Sequence, residues 1–472
     1  MLETVLATAR DDFELHIARL QRYIRQKSIS AENTGNDEMA AMLTADINTL
    51  GGVGRVVPGV DFPVVYGRFD VGAPRTVLIH SMYDTTPADE PGWTVAPFEA
   101  VRTDFESYGE CIVARGAEDT KGPVAAIFGM IESHRRAKVQ LPVNLILLFE
   151  ASELGSKSLP AFVEAHADEL RHAHVAYWPW LTQQANGRTA VWLGAKGLMT
   201  FKLRVRGGDW GGPAKRDIHG LHSSWIASPA QRLVAALASL KTANDLDVAV
   251  ESFYGDGDPV TAEDEQLVQE LAKRADAQAL ARELGVARFK QDLFADAIRA
   301  HCFQSELNIS GLRSGYVIED GHKVVLSHEA TASLDLRPLD GMTVPQVTSA
   351  LRRHFDKHGF NEVEIDVLNG YVGSRLPASN WAVQELLGAY RDCGFDPDIW
   401  PRTATAIAVE LFTKQLGMPW IATCPGHAGH KHSVNEYLQL SSYRSTVPFM
   451  CRLMWRLANA AGAGVLRGAG DF

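Results

Sequence analysis

Four short polar clusters carry side chains that could do acid–base or metal chemistry. In "IHSMYD", His80, Met82 and Asp84 alternate onto one face of a predicted strand. In "RGAEDTKGP", Asp119 sits in a glycine-flanked loop ahead of an apolar helical pattern, and in "FEASELGS", Glu150 and Glu153 follow the apolar run "VNLILLF". In "GHAGHKHSVNE", His427, His430 and His432 are packed into a few residues before Asn435 and Glu436. Two carboxylates and an imidazole drawn from separate strand ends make up the ligand set that a Zn, Mn or Co ion takes. Singly, "ED" or "HSVNE" also reads as a solvated turn. The case for chemistry is that all four fall where an open α/β sheet presents its ligands.

The elements that must position these clusters follow from the apolar pattern. "VVYGRF", "RTVLIHSMY", "VNLILLFEAS" and "VAYWPWL" read as buried strands, with a helix at "GPVAAIFGMIESHRR". Phe13, Ile17, Leu20 and Ile24 recur at helical spacing near the N-terminus and predict a packing helix. From "GLMTFKLRVRGG" the pattern changes to an alternating strand, a helix at "SPAQRLVAALASLKTA", a charged helical stretch around 262–300, a strand at "HEATASLDLRPL" and a helix at "VPQVTSALRRHFDKHGF". It then returns to α/β, with a helix at "NWAVQELLGAYRDCGF", a strand at "MPWIATCP" and a last helix at "SYRSTVPFMCRLMWRLANAAG". The predicted fold class is α/β, a catalytic domain with a mixed sheet covered by helices (1–195 and 377–472), interrupted by an α+β lid or dimerisation domain (196–376). No internal repeat is evident.

Composition narrows the partners. Over 472 residues, 46% are hydrophobic and 22% charged, which suits a buried core in more than one domain. The formal net charge of -11 argues against nucleic acid or an anionic membrane as partner and favours a small-molecule or dipeptide-like substrate. Cys111, Cys302, Cys393, Cys424 and Cys451 are odd in number and widely spaced, as expected of reduced thiols in a cytoplasmic protein. The charged N-terminal stretch has neither the apolar core of a signal peptide nor a membrane span.

Seven ordered motifs carry a resemblance: "MYDTTPADEPGWTVAPFEAV", "RGAEDTKGPVAA", "ELGSKSL", "RDIHGLHSSWIASPAQRLVAAL", "NISGLRSGY", "ASLDLRP" and "HSVNE". Together they resemble the co-catalytic metallopeptidases that include carboxypeptidase G, aminoacylase, succinyl-diaminopimelate desuccinylase and carnosine dipeptidase, nearest the dipeptidase branch. The likeness extends over nearly the whole chain. It implies an interrupted catalytic domain and an inserted lid that mediates homodimer formation. Asp119 matches the aspartate that bridges two metals, Glu153 the glutamate that binds one of them, and His432 the histidine completing that metal's shell. His219 matches the lid histidine that helps stabilise the oxyanion, with His222 a close alternative. Asn308 and Arg337 match positions that hold a substrate carboxylate or carbonyl, and Arg402 falls in another substrate-facing loop. On spacing alone these three read as structural caps or ion pairs.

Other positions depart from the pattern. Met82 stands where a histidine holds the second metal, and Tyr177 or Trp178 stands where that metal's aspartate should be. Asp84, which in the family orients the missing histidine, is kept, and Ser152 replaces the general-base glutamate. Moving one gap would make Glu153 the base and remove it from the ligand set. A thioether is a soft ligand that suits Zn or Mn poorly. The expectation is therefore one divalent metal at most (Zn, Mn or Co), with a metal-free form left open.

Hydrolysis normally needs a carboxylate to move the proton to the leaving amine. Glu150, His427 and His430 are the substitutes in reach, while His80 reads as a buried, hydrogen-bonded core residue. Three functions follow: hydrolysis of an amide (C–N) bond in a small dipeptide-like or N-acyl amino-acid substrate; a repurposed pocket doing acyl transfer, amide formation, elimination or isomerisation; and an inactive binding protein.

Overall fold

The apolar runs without alternation form the middle of a nine-stranded mixed sheet. The computed structural model describes residues 1–151, 155–243, 245–251, 253, 259–318, 321–405 and 407–461. Across the sheet the strands run Val53–Val57, Val64–Phe69, Asn144–Glu150, Thr76–Met82, Val175–Gln183, Trp420–Gly429, Tyr437–Gln439, Glu110–Val113 and Val101–Asp104. Neighbours among the four strands from Asn144–Glu150 to Trp420–Gly429 are parallel, and the outer pairings are antiparallel. Those parallel strands bury consecutive residues and so are covered on both faces, which explains their unbroken Val, Ile, Leu and aromatic content. Lys121–Arg136 is buried along nearly its whole length, and Phe13–Arg25 buries Phe13, Ile17, Leu20 and Ile24 as their spacing predicts.

This sheet belongs to the first of two compact units, made of Met1–Leu193, Leu376–Trp400 and Leu411–Phe472. The second unit comprises Gly194–Arg375 and Pro401–Glu410. The last segment lies within the stretch that the sequence boundaries assign to the catalytic domain. Two backbone bonds tie it to the second unit, Lys196 N–H to Thr403 O and Thr403 N–H to Gly194 O, both 2.9 Å.

The core of the second unit is a four-stranded antiparallel sheet in the order Glu306–Ser314, Glu329–Arg337, Leu198–Arg206, Glu364–Tyr371. Leu198–Arg206 alternates buried and half-buried residues, the period of a sheet covered on one face. Helices Pro229–Ala238 and Val344–Lys357 cover that face, with Leu233, Leu237, Val347, Leu351 and Phe355 packed on Phe201, Leu203, Leu334 and Leu336. Both helices start where side chains cap the first turn: Ser228 Oγ accepts from Gln231 N–H, and Thr343 and Gln346 form a capping box. Among the described residues no helix is long and apolar enough to cross a membrane, and all five cysteines are free thiols.

Candidate active site

Asp119 lies in the loop between strand Glu110–Val113 and helix Lys121–Arg136, and that loop is held from behind by a buried ion pair. Glu436 Oε1 accepts the backbone N–H of Glu118 at 2.8 Å and of Asp119 at 3.0 Å, while its Oε2 accepts from Arg115 Nη1 at 3.0 Å. Arg115, 1% exposed, also donates to Glu90, Pro87 O and Ser433 O and lies over the Trp93 ring. Burial pushes the Glu436 carboxyl up to about 7. The loop itself demands glycine: Gly116 has φ +87°, and a Cβ on Gly122 would lie 2.4 Å from Ala117 O.

Two acidic side chains emerge from this cradle. Asp119 Oδ2 meets His432 Nε2 at 3.1 Å, and Glu118 Oε1 meets Lys431 Nζ at 3.3 Å. Asp119 Oδ1 and Glu118 Oε2 are buried and have no hydrogen-bond partner among the described residues. Unpaired buried carboxylate oxygens are costly unless a ligand satisfies them. Burial raises the Glu118 carboxyl above its ordinary range. Burial opposes charging Lys431, but the fields of Glu118 and Asp119 outweigh it and raise the ammonium's pKa. His430, His432 and Asn435 all have left-handed backbone (φ +59°, +58° and +56°), an uncommon conformation for residues other than glycine.

Asp119 and His432, placed together, are two of the three ligands expected from the sequence. Glu153 and Ser152 lie outside the described residues. Among the described residues, no group of three or more His, Cys, Asp or Glu side chains is arranged to hold a metal. The pair with its open carboxylate oxygen fits one divalent ion. The second metal's positions do not fit: Met82 carries a thioether, the buried Tyr177 hydroxyl donates to Thr423 O at 3.0 Å, and Trp178 stacks on Trp180 at 4.7 Å.

The neighbouring candidates are engaged elsewhere. His80 is buried, with its Nε2 2.8 Å from Glu150 Oε1, so that carboxylate is tied into the sheet. His427 is buried between Gln183 O and the Tyr437 hydroxyl, and His430 packs edge-on against Phe105 and Tyr437. Asp84 is fully buried and accepts from Ser30 Oγ, at the end of the strand that bears Met82.

The second unit holds the other candidates. Asn308 Nδ2 donates to Asp335 Oδ1 at 2.8 Å across paired strands, and Arg337 lies 3.9 Å from Asp335 Oδ2 and donates to Ala404 O. Arg402 is fully buried, 3.3 Å from Asp340 and over the Phe303 ring. His219 is exposed and accepts Leu221 N–H on Nδ1 at 3.1 Å, capping a short 3-10 turn; His222 accepts from Trp225 Nε1 at 3.0 Å. Sequence reasoning left Glu118, Lys431, Arg115 and Asp335 without a role and named Glu436 without assigning one. A carboxylate beside Asp119 and a lysine between two histidines were legible signals, whereas the Arg115–Glu436 pairing spans 321 positions.

The chain matches peptidase family M20/M25/M40 over residues 78–291. It is 26% identical to a Cys-Gly metallodipeptidase of Candida albicans, covering 90% of this chain and 91% of that one. It is 24% identical to a beta-Ala-His dipeptidase of Rattus norvegicus, covering 80% and 77%. An M20 metallo-carboxypeptidase from Sulfolobus solfataricus superposes with TM-score 0.85 at 27% identity, over 94% of this chain and 99% of that one. The dipeptidase Dug1p of Saccharomyces cerevisiae shares the fold, with TM-score 0.84 at 20% identity over 98% and 99%. In its family match, its relatives and its fold the chain is similar to the M20 metallopeptidases. The relatives named by reaction are hydrolases of peptide bonds.

Proposed function

We propose that the protein hydrolyses the amide bond of a small dipeptide-like or N-acyl amino-acid substrate, using at most one of the family's two metals. The observation that carries this is the meeting of Asp119 and His432, with Asp119 Oδ1 buried and unsatisfied among the described residues. The dipeptidases among the relatives support the substrate class. Asp119, His432 and Glu153 hold the ion, and Asp84 supports the strand end beside them. A divalent ion held there supplies Lewis-acid activation of water and of the amide carbonyl.

Glu436 and Arg115 keep the Asp119 loop fixed before substrate arrives. Asn308, Arg337 and Arg402 orient the substrate's carboxylate or carbonyl, and His219 donates to the oxyanion, in a homodimer formed through the second unit. Ser152 handles the proton; Glu153 takes that role only in the alignment that removes it from the ligand set. A second reading, non-hydrolytic chemistry in the same pocket, draws on one observation: Glu150, the carboxylate two residues before Ser152, is bonded to His80.

The test is metal content by plasma mass spectrometry on wild type and His432→Ala, with product analysis over a panel of dipeptides and N-acyl amino acids. About one equivalent, lost in the variant, together with released amino acid, is expected. Two tightly bound ions per chain would sink the one-metal assignment, and products other than the hydrolysed pair would favour the second reading. Loss of turnover in His219→Ala would rule out an inactive binding protein.

A further inference from the structure

The loop that carries His432 also carries a cation. Lys431 Nζ lies 3.3 Å from Glu118 Oε1 and 4.9 Å from the centroid of the Trp180 ring. Trp180 in turn stacks on Trp178, one of the two residues standing where the second metal's aspartate is expected. The ammonium is thus held by a carboxylate and an aromatic face, both favourable to positive charge.

Glu118 and Asp119 are consecutive, both no more than 5% exposed, and each keeps one buried oxygen without a hydrogen-bond partner among the described residues. Adjacent buried carboxylates repel each other and require a nearby positive charge. In a two-metal site a second divalent ion brings that charge. Here the thioether of Met82 and the engaged phenol of Tyr177 offer that ion no hard ligand.

We infer that Lys431 is a built-in counter-ion to the Glu118–Asp119 pair, taking the electrostatic place of the family's second metal. It brings charge without Lewis acidity, so the site is mononuclear by construction. This deepens the one-metal reading above and rests on it.

The experiment titrates metal-stripped protein with Mn²⁺ by calorimetry, counts bound metal by plasma mass spectrometry, and follows thermal unfolding with and without Mn²⁺. Wild type, Met82→His, Lys431→Met, Lys431→Arg and the double variant Met82→His/Lys431→Met are compared. Wild type and Met82→His are expected to bind no more than one equivalent. The double variant is expected to gain a second ion at least roughly tenfold more tightly than either single variant. Lys431→Met is expected to show a larger Mn²⁺-dependent rise in Tm than the one-ion rise of wild type and Lys431→Arg, a readout that survives if the double variant folds poorly. A second ion bound equally well by Met82→His with its lysine intact would overturn the inference, as would identical Mn²⁺ responses in wild type and Lys431→Met. Two equivalents in wild type would instead remove the one-metal reading itself.

Discussion

The acidic loop of the first unit and the polar strand face of the second handle charge in opposite ways. Behind Asp119 the pair that holds the loop is buried, Glu436 and Arg115 each being 1% exposed and bound to the loop's backbone as well as to each other, while His432 and Lys431 on its open side are 55% and 50% exposed. Around Asn308 the partners are partly solvated, with Asp335 21% and Arg337 28% exposed. Buried charge fixes geometry and fails badly when one member is removed, whereas solvated charge can be rearranged at little cost. The first arrangement suits atoms that must be in place before reaction. The second suits groups that adjust to a bound molecule.

Substitutions test this contrast. The largest effect is expected at Asp119→Ala, where turnover should fall by roughly a hundredfold or more, with loss of bound metal measured in the same preparation. Next is Glu436→Ala, which leaves two buried loop amides unpaired and Arg115 with Glu90 as its remaining carboxylate, and should cost about 3 kcal/mol in urea unfolding. Glu436→Gln, which keeps an acceptor for the two loop amides, should cost less. If Glu436→Ala is no more harmful than a change at Asn308, the contrast collapses.

A third effect concerns pH. Burial holds the His16 imidazole at about 4 in the folded first unit, against 6.5 unfolded. The unfolded chain therefore binds the extra proton first as pH falls. Stability is fully present above 6.5 and declines toward pH 4, by up to about 3 kcal/mol for this group. His16→Leu should flatten that part of the acid-unfolding profile.

The smallest effect on the fold is expected for Asn308→Ala, with unfolding free energy changed by no more than about 0.5 kcal/mol. Its KM should rise by roughly tenfold with little change in kcat, the signature of lost substrate binding. An unaltered KM would remove Asn308 from the substrate site.

Much of this was legible before any coordinates. The strand "VNLILLF" and the helix "GPVAAIFGMIESHRR" announce themselves because full burial permits an unbroken apolar run. Strand Glu364–Tyr371 was not anticipated, because "EIDVLNGY" is largely exposed and pairs on only one side. Segment Pro401–Glu410 gave no sign of its unit, since its membership depends on bonds to Gly194 and Lys196, some two hundred positions away.

Read alone, the side-chain types and their order in "RGAEDTKGP" and "HSVNE" point to a carboxylate–imidazole site, and Met82 and Tyr177 stand where the resemblance leads one to expect further metal ligands. Tertiary structure alone decided which groups are available. It locked Glu150 to His80, spent His427 on Gln183 and Tyr437, set Glu436 behind the Asp119 loop and laid Lys431 against Glu118. The physical reason is that ligand identity is a local property of side chains, whereas burial and charge pairing depend on strands and loops brought together from distant parts of the chain.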